Sequence, residues 1–385
     1  MNKQIFDDIF FNYQNKIIIL TINDITNYGN RLQNYALHYM LEKYAPNITL
    51  PISINVNNFR QKVANIFRNL VKKNIKKIYG VLFSNQKSLE FKRLMASEEF
   101  TRIYIPTSHR IVTSYNRSKL VEKAKLVVIG SDQVWNYRWL SSSDLSLRLG
   151  SFVNISVPII SYAASFGVSD IEEDAKEIFQ KYLPRLKAIS VREHRGAELI
   201  RIMTGLDAYV VLDPTLMLDS QQWHKITRGF VLDNERYVLT YFLGKPSKDQ
   251  EITIQKFAKK HSCKVRRILD VRDEITYVAG PQDFVELFEK AEYVFTDSYH
   301  ACCFSLLFKK QFTVFNRAGM SGKSSMNSRM ETLFNFFGLD SVVINNGIAP
   351  LIDYEKVDKL LNQHRKESQT WLDKVMKEYL HGESA

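Results

Sequence analysis

The chain has 385 residues, of which 45% are hydrophobic and 24% charged, an ordinary globular composition at a length beyond the roughly 100–200 residues of one domain. Its three cysteines, Cys263, Cys302 and Cys303, are too few for a disulfide framework and lack the spacing of a zinc site, and no run of about 18 apolar residues offers a membrane span. An excess of 53 Lys and Arg over 41 Asp and Glu gives a formal charge of +12, which attracts anions. No helix-turn-helix, zinc finger or RNA-binding aromatic motif accompanies it, so nucleic acid is not the expected partner. An anionic membrane surface or a phosphorylated small substrate fits instead. The first residues, MNKQIFDDIFFNYQNK, carry acids where a secretory signal carries an unbroken apolar core. A cytoplasmic location is expected, with peripheral attachment to the inner face of the membrane as a variant of it.

Residues 16–22 (KIIILTI) form a short β-branched run that predicts a buried parallel strand. The turn-rich residues 23–30 follow, and then a helix over residues 31–43 with apolar spacing at Leu32, Ala36, Tyr39 and Met40. Residues 58–80 are basic, with apolar positions at helical spacing. This segment reads either as a helix resting on an anionic membrane or as a surface helix packed on the core. Strands are expected at residues 126–129, 158–163, 188–191 and 209–212, with helices near 171–182 and 196–203 between them. Such alternation argues for a parallel, helix-covered sheet. The pattern loosens through residues 218–234 and restarts with strands at 237–242, 264–269, 293–296 and 312–315, separated by helices near 248–261, 282–290 and 298–308. Residues 354–380 predict one or two amphipathic helices. The expected division is residues 1–230 and 231–352 as two Rossmann-like α/β domains, with helices over 353–385 that return toward the first.

Ligands of parallel sheets bind beyond the carboxyl ends of the strands. Polar clusters at those ends are therefore the candidate site: residues 27–33 (NYGNRLQ), 130–136 (GSDQVWN), 163–167 (AASFG), 190–195 (SVREHR) and 296–300 (TDSYH), with Asn316, Arg317 and Lys323 after the strand at 312–315. His300 is placed in the first turn of a helix, with Asp297 or Ser298 as its cap, where free amides and the helix dipole favour an anion. Arg192 stands at a strand end, suited to bidentate pairing with a carboxylate or phosphate, or to a salt bridge with Glu193 or another loop. Asp132, Gln133 and Trp135 combine polar and aromatic groups suited to a sugar, and Asn27, Asn30 and Arg31 neighbour them. Each reads equally as a hydrogen-bonded turn, with Trp135 in the core. His194, His224 and His261 show no ligand spacing, and Cys302 and Cys303 read as packing residues.

The strings NYGNRLQNYAL, GSDQVWN, SVREHR, VLDPTLML and TDSYHACCFSL together resemble the polysaccharide pyruvyl transferase family, over about Ile17 to Leu339. The resemblance implies two Rossmann-like domains in a glycosyltransferase-B-like arrangement with a cleft between them. It further implies phosphoenolpyruvate as co-substrate, a sugar hydroxyl pair as acceptor, lipid-linked by expectation, and a pyruvate ketal as product in capsule or exopolysaccharide synthesis. No redox change occurs, so no nicotinamide or flavin is required, and neither a cofactor nor a metal is expected. The family match carries over to His300 as the donor-site histidine and general acid, and to Arg192 as an arginine of the active cleft. One version of the family motif has an arginine two positions before the histidine. Here that position is Ser298, so another cation must serve the donor: Arg317, Lys323 or Arg329, between which the sequence does not choose. Two other functions compete. One is a nucleotide-sugar glycosyltransferase of the same architecture, for which Asp283 is a candidate ribose ligand; the other is a noncatalytic membrane-surface scaffold for polysaccharide assembly.

Overall fold

Strand β1 (Ile17–Leu20) has no exposed residue, and its alternate side chains enter different cores, Ile17 and Ile19 on one face and Ile18 and Leu20 on the other. Such a strand needs helices on both faces. The computed structural model, which describes residues 13–52, 85–108, 111–112, 119–230, 235–316 and 327–381, supplies them. In chain order β1 is followed by α1 (Tyr28–Glu42), β2 (Asn47–Thr49), α2 (Asn85–Tyr104), β3 (Leu126–Asp132), α3 (Ser142–Arg148), β4 (Ile159–Ala164), α4 (Glu173–Tyr182), β5 (Ser190–Val191), α5 (His194–Thr204) and β6 (Tyr209–Val210). Two short helices, α6 (Pro214–Met217) and α7 (Ser220–His224), lead into a second array. That array runs β7 (Tyr237–Tyr241), α8 (Lys248–Lys260), β8 (Lys264–Ile268), α9 (Glu274–Tyr277), α10 (Pro281–Lys290), β9 (Tyr293–Thr296), α11 (Tyr299–Leu307), β10 (Phe312–Phe315), α12 (Asn327–Phe337) and β11 (Val343–Ile344). A long helix, α13 (Tyr354–His381), ends it. The basic segment 58–80 lies outside the described residues.

The described strands pair in parallel, in the orders β2-β1-β3-β4-β5-β6 and β11-β10-β9-β7-β8. Counted from its own first strand, the six-stranded sheet has the order 2-1-3-4-5-6 and the five-stranded sheet 2-1-3-4-5, so the chain winds the same α/β order twice, with one more strand in the first array. Each sheet reverses direction once, between β1 and β3 and between β7 and β9, and the carboxyl end of that junction is where such sheets bind ligands. Side chains stitch both junctions. The Thr21 hydroxyl donates to the Ser131 carbonyl at 3.2 Å, and the Asp297 carboxylate accepts from the amides of Leu243 and Gly244 at 2.7 and 2.9 Å.

The two arrays share one core. A single apolar cluster runs from Ile17 and Val128 of the first sheet through α1 and α11 to Leu239, Val294 and Phe312 of the second, while separate clusters cover the outer faces. Tyr28, the first residue of α1, crosses the divide: its hydroxyl donates to the Ala279 carbonyl at 2.7 Å and its ring stacks on Phe284 at 5.0 Å. Helix α13 leaves the second array and lies against the first. Arg365 donates to the carbonyls of Leu216 and Leu218 at 2.6 and 2.7 Å, Ser368 Oγ accepts from the Leu212 amide at 3.0 Å, and Trp371 stacks on Tyr209.

Most expected elements are present within a few residues, and α13 is one continuous helix. The helix after β1 begins at Tyr28, not at Arg31, because the Asn27 side chain accepts from the Asn30 amide and caps it there. Among the described residues no helix is long and apolar enough to cross a membrane. Leu372, which has no exposed surface and packs in the shared core, measures how far α13 holds the halves together. Leu372→Ala should cost about 2–5 kcal/mol in urea unfolding, with α13 contributing to one cooperative transition rather than melting early.

Candidate active site

Strand β3 ends in Gly130–Ser131–Asp132. A side chain at Gly130 would meet the Tyr162 backbone of β4, with a Cβ 2.9 Å from its carbonyl carbon, so only glycine allows the two strands to run this close. Asp132 then takes a φ of +67°, the left-handed conformation that Asp tolerates better than most residues. Two strands away, the Arg192 amide donates to the Ala164 carbonyl at 3.0 Å, which fixes the residue just past β5. Its guanidinium donates from Nη2 to Asp132 Oδ1 at 3.0 Å and from Nη1 to Asp213 Oδ2 at 2.8 Å, and lies over the Tyr299 ring at 4.4 Å.

Asp213 follows β6 and caps α6, its Oδ1 accepting from the Thr215 amide and hydroxyl at 2.9 and 2.8 Å. Its Oδ2 also accepts from Ser131 Oγ at 3.3 Å. The same oxygen lies 3.7 Å from His300 Nε2, an ion-pair distance beyond hydrogen-bond range. Burial alone would raise the Asp213 carboxyl, but His300, Arg192 and the Thr215 amide outweigh it and hold the group well below the usual carboxylate range. Asp132 is held down likewise, burial being outweighed by Arg192, His300 and Arg329. Arg192 is held above the ordinary arginine range, because Asp132 and Asp213 outweigh its own desolvation.

His300 occupies the first turn of α11 and is 7% exposed; its Nε2 has no hydrogen-bond partner among the described residues. Arg329, on α12, comes in from the other side. Its Nη1 is 3.8 Å from Asp132 Oδ1, and its guanidinium is 5.9 Å from the same Tyr299 ring. With the Gln133 amide turned so that its oxygen faces Arg329, both Nη atoms donate to it at 3.1 Å. Burial, reinforced by Arg192, lowers the Arg329 guanidinium to about 10, and its Nε is buried without a partner. The carboxyl ends of both sheets thus converge on one buried cluster: Asp132, Arg192 and Asp213 from the first array, Tyr299, His300 and Arg329 from the second.

A family model for polysaccharide pyruvyl transferase matches residues 27–319, a span that holds this cluster except for Arg329. The chain belongs to the polysaccharide pyruvyl transferase family. No curated protein sequence matches it. Among solved structures it is similar to a UDP complex of MnaA from S. aureus, at 12% identity over 96% of this chain and 97% of the other, with a TM-score of 0.46. It is also similar to UDP-GlcNAc 2-epimerase from Neisseria meningitidis bound to UDP-GlcNAc, at 13% identity over 94% and 100%, TM-score 0.45. A third is a UDP-glucosyltransferase from Polygonum tinctorium, at 11% identity over 97% and 99%, TM-score 0.41.

In this pyruvyl transferase family member the residues singled out from sequence have separate fates. His300, Arg192, Asp132, Gln133 and Arg329 come together. Arg192 pairs with Asp132 and Asp213 rather than with Glu193. The Glu193 carboxylate turns instead to Ser165 Oγ and the Phe166 amide, both at 2.9 Å, and burial raises its carboxyl. Ser298 stands at the N-cap of α11 without capping it through its side chain, and Asp297 is engaged at the junction of β7 and β9. Trp135 has no exposed surface and packs on Phe166, so it presents no face to a sugar. Asn27 caps α1. Asn30 and Arg31 are buried, Arg31 donating to Asn30 Oδ1 at 2.7 Å and to the Ile22 carbonyl at 3.1 Å, which braces the β1–α1 turn. Burial lowers Arg31 to about 10. Arg317 and Lys323 lie outside the described residues. Among the described residues no group of three His, Cys, Asp or Glu side chains could hold a metal ion. A surface cleft of about 370 Å³ between Tyr137–Leu145 and Glu172–Ile178 contains none of the cluster residues.

Sequence reasoning passed over two members. Asp213 was visible only as the D of VLDPTLML, where a following proline marks a helix start, and Tyr299 only as the neighbour of His300. A depressed carboxyl contributes stability above its unfolded value of about 3.9 and loses it as pH falls toward the folded value. Asp213→Asn should therefore cost about 3–5 kcal/mol at pH 7, the usual penalty for breaking a buried pair. In urea melts the gap to wild type should narrow below about pH 4, by about 1.4 kcal/mol per pH unit.

Proposed function

We propose that the chain transfers the pyruvyl group of phosphoenolpyruvate to two hydroxyls of a sugar, forming a pyruvate ketal. The observation that carries the reading is the placement of His300: a buried imidazole with an unpartnered nitrogen, set where both sheets end, 3.7 Å from the ionised Asp213 carboxylate and in the same buried cluster as Arg192 and Arg329. Its ring supplies the proton that the chemistry needs. Protonation of the methylene carbon makes the central carbon electrophilic, and one sugar hydroxyl attacks it and gives up its proton. The central C–O bond breaks and phosphate departs with the bond's electron pair and the proton given up by the first hydroxyl; the second hydroxyl then closes the ketal, its proton returning to the imidazole. Donor plus diol thus becomes ketal plus phosphate, with no change of oxidation state and no cofactor.

Arg192 has both Nη atoms taken up by carboxylates, so its part is electrostatic: it keeps Asp213 ionised beside His300. Arg329 has a buried Nε without a hydrogen-bond partner and lies 3.8 Å from Asp132 Oδ1, a longer contact than those Arg192 makes to its carboxylates. It takes the place of the arginine absent at Ser298 in holding the donor's carboxylate or phosphate, with Arg317 and Lys323 as further donor contacts. The acceptor side is formed by Asp132, Gln133 and the α1 turn of Asn27, Asn30 and Arg31. A lipid-linked sugar is the acceptor class, met at an anionic membrane by the basic segment 58–80. The nucleotide-sugar reading loses its ribose ligand: Asp283 is buried and accepts from Arg228 Nε and Nη2 at 2.8 and 2.9 Å.

Purified protein incubated with phosphoenolpyruvate and a panel of lipid-linked or chromogenic glycosides should release phosphate and add one pyruvyl unit to the glycoside. Both readouts are needed, because phosphate release alone also reports hydrolysis. His300→Ala should lower turnover by at least ~10²-fold in a chain that still melts cooperatively, and near-native turnover would sink the acid role. Phosphoenolpyruvate should raise the melting temperature more than UDP does; the reverse order favours the glycosyltransferase.

A further inference from the structure

The His300 imidazole has two edges, and a residue of the first array stands at each. Nε2 faces Asp213. Nδ1 faces Gly29, the second residue of α1: a Cβ built there would lie 2.5 Å from His300 Cγ, 2.7 Å from Cε1 and closer still to Nδ1. Real Cβ atoms do not come this near a ring, so the glycine backbone is in direct contact with the imidazole.

The backbone at Gly29 does not itself demand glycine. The residue is helical and outside the left-handed region, and alanine is the better helix former. Space for the ring is what glycine provides. Nor is the turn that carries it free to withdraw. The preceding residue, Tyr28, is bonded to Ala279 and stacked on Phe284 of the second array, and Asn27 caps the helix one residue earlier. The first turn of α1 is therefore fixed to the array that bears His300 and pressed against its ring.

We propose that Gly29 is a positioning residue for the reaction: the first turn of α1 is the stop against which the imidazole of His300 is set, so the acid's geometry is made by both halves of the chain. The proposal rests on His300 being the general acid. Gly29 acts through His300 and has no contact with the donor assigned to it. Displacement of a catalytic group by about 1 Å can cost as much as ~10²-fold in rate, and a Cβ at Gly29 displaces the ring by at least that order.

The test compares wild type, Gly29→Ala, His300→Ala and the double variant by steady-state kinetics with phosphoenolpyruvate and by thermal melting. Gly29→Ala should lower kcat by about 10-fold or more, with KM for phosphoenolpyruvate within about threefold of wild type, because geometry is lost and binding is kept. It should lower the melting temperature when His300 is present and leave it unchanged or raised when position 300 is alanine, the non-additivity expected of touching residues. Wild-type kcat in Gly29→Ala, or the same melting shift in both backgrounds, overturns the proposal. Should Gly29→Ala fail to fold with His300 present yet fold in the double variant, the contact is demonstrated by that difference; failure in both overturns it. Wild-type turnover in His300→Ala removes the acid reading and the catalytic half of this proposal together, and the melting cycle distinguishes that result from absence of the contact.

Discussion

A carboxylate with no exposed surface stays ionised only where opposite charge and hydrogen bonds replace the water it has lost, and Asp213 meets that condition from several directions. Arg192 comes from the end of β5, Ser131 from β3, Thr215 from the helix that Asp213 caps, and His300 from the second array. Removing any one leaves a buried charge short of compensation. The positions of three strand ends and of the helix bearing the candidate acid are therefore tied to a single group. The tie runs both ways: Arg192, buried as fully as Asp213, depends on Asp132 and Asp213 to remain where it is.

This dependence explains why the two arrays close on each other. Each is a parallel sheet whose reversal point opens at its carboxyl end, and two such ends meeting face to face would leave polar loop groups in a dry space. The charged cluster fills that space with mutually compensating groups, while the shared apolar core and α13 supply the adhesion around it. Tyr28 belongs to both parts, its ring in the core and its hydroxyl on the carbonyl of Ala279.

Tyr299 gives the cluster its other organising surface. Two guanidinium groups within 6 Å of one ring repel each other, yet each gains from the negative face of the aromatic system, and Asp132 between them offsets the rest. Arg192 spends both Nη atoms on carboxylates. Arg329 has a longer contact to Asp132, and burial lowers its affinity for its proton. On the proposed reading, the cation of the donor site arrives on a different helix rather than two positions before the histidine.

The sequence by itself determined the family, the doubly wound class and the location of most elements, because these depend on local chemistry: β-branched runs buried on both faces and polar strings where strands end. It located His300 and Arg192 for the same reason. It did not reveal α2, whose apolar residues fall on its exposed side, at Met95 and Ile103, as well as its buried side, at Leu89 and Phe100, so no single stripe marks it. Only the tertiary structure decided which polar residues meet. Asp213 stands 3.7 Å from a histidine far along the chain, Trp135 turns into the core beside polar neighbours that do not, and Gly29 touches a ring from the opposite array. Such contacts follow from how two sheets dock. Docking is set by the sum of many apolar contacts across a shared core, which leaves no trace in the spacing of residues along any one segment.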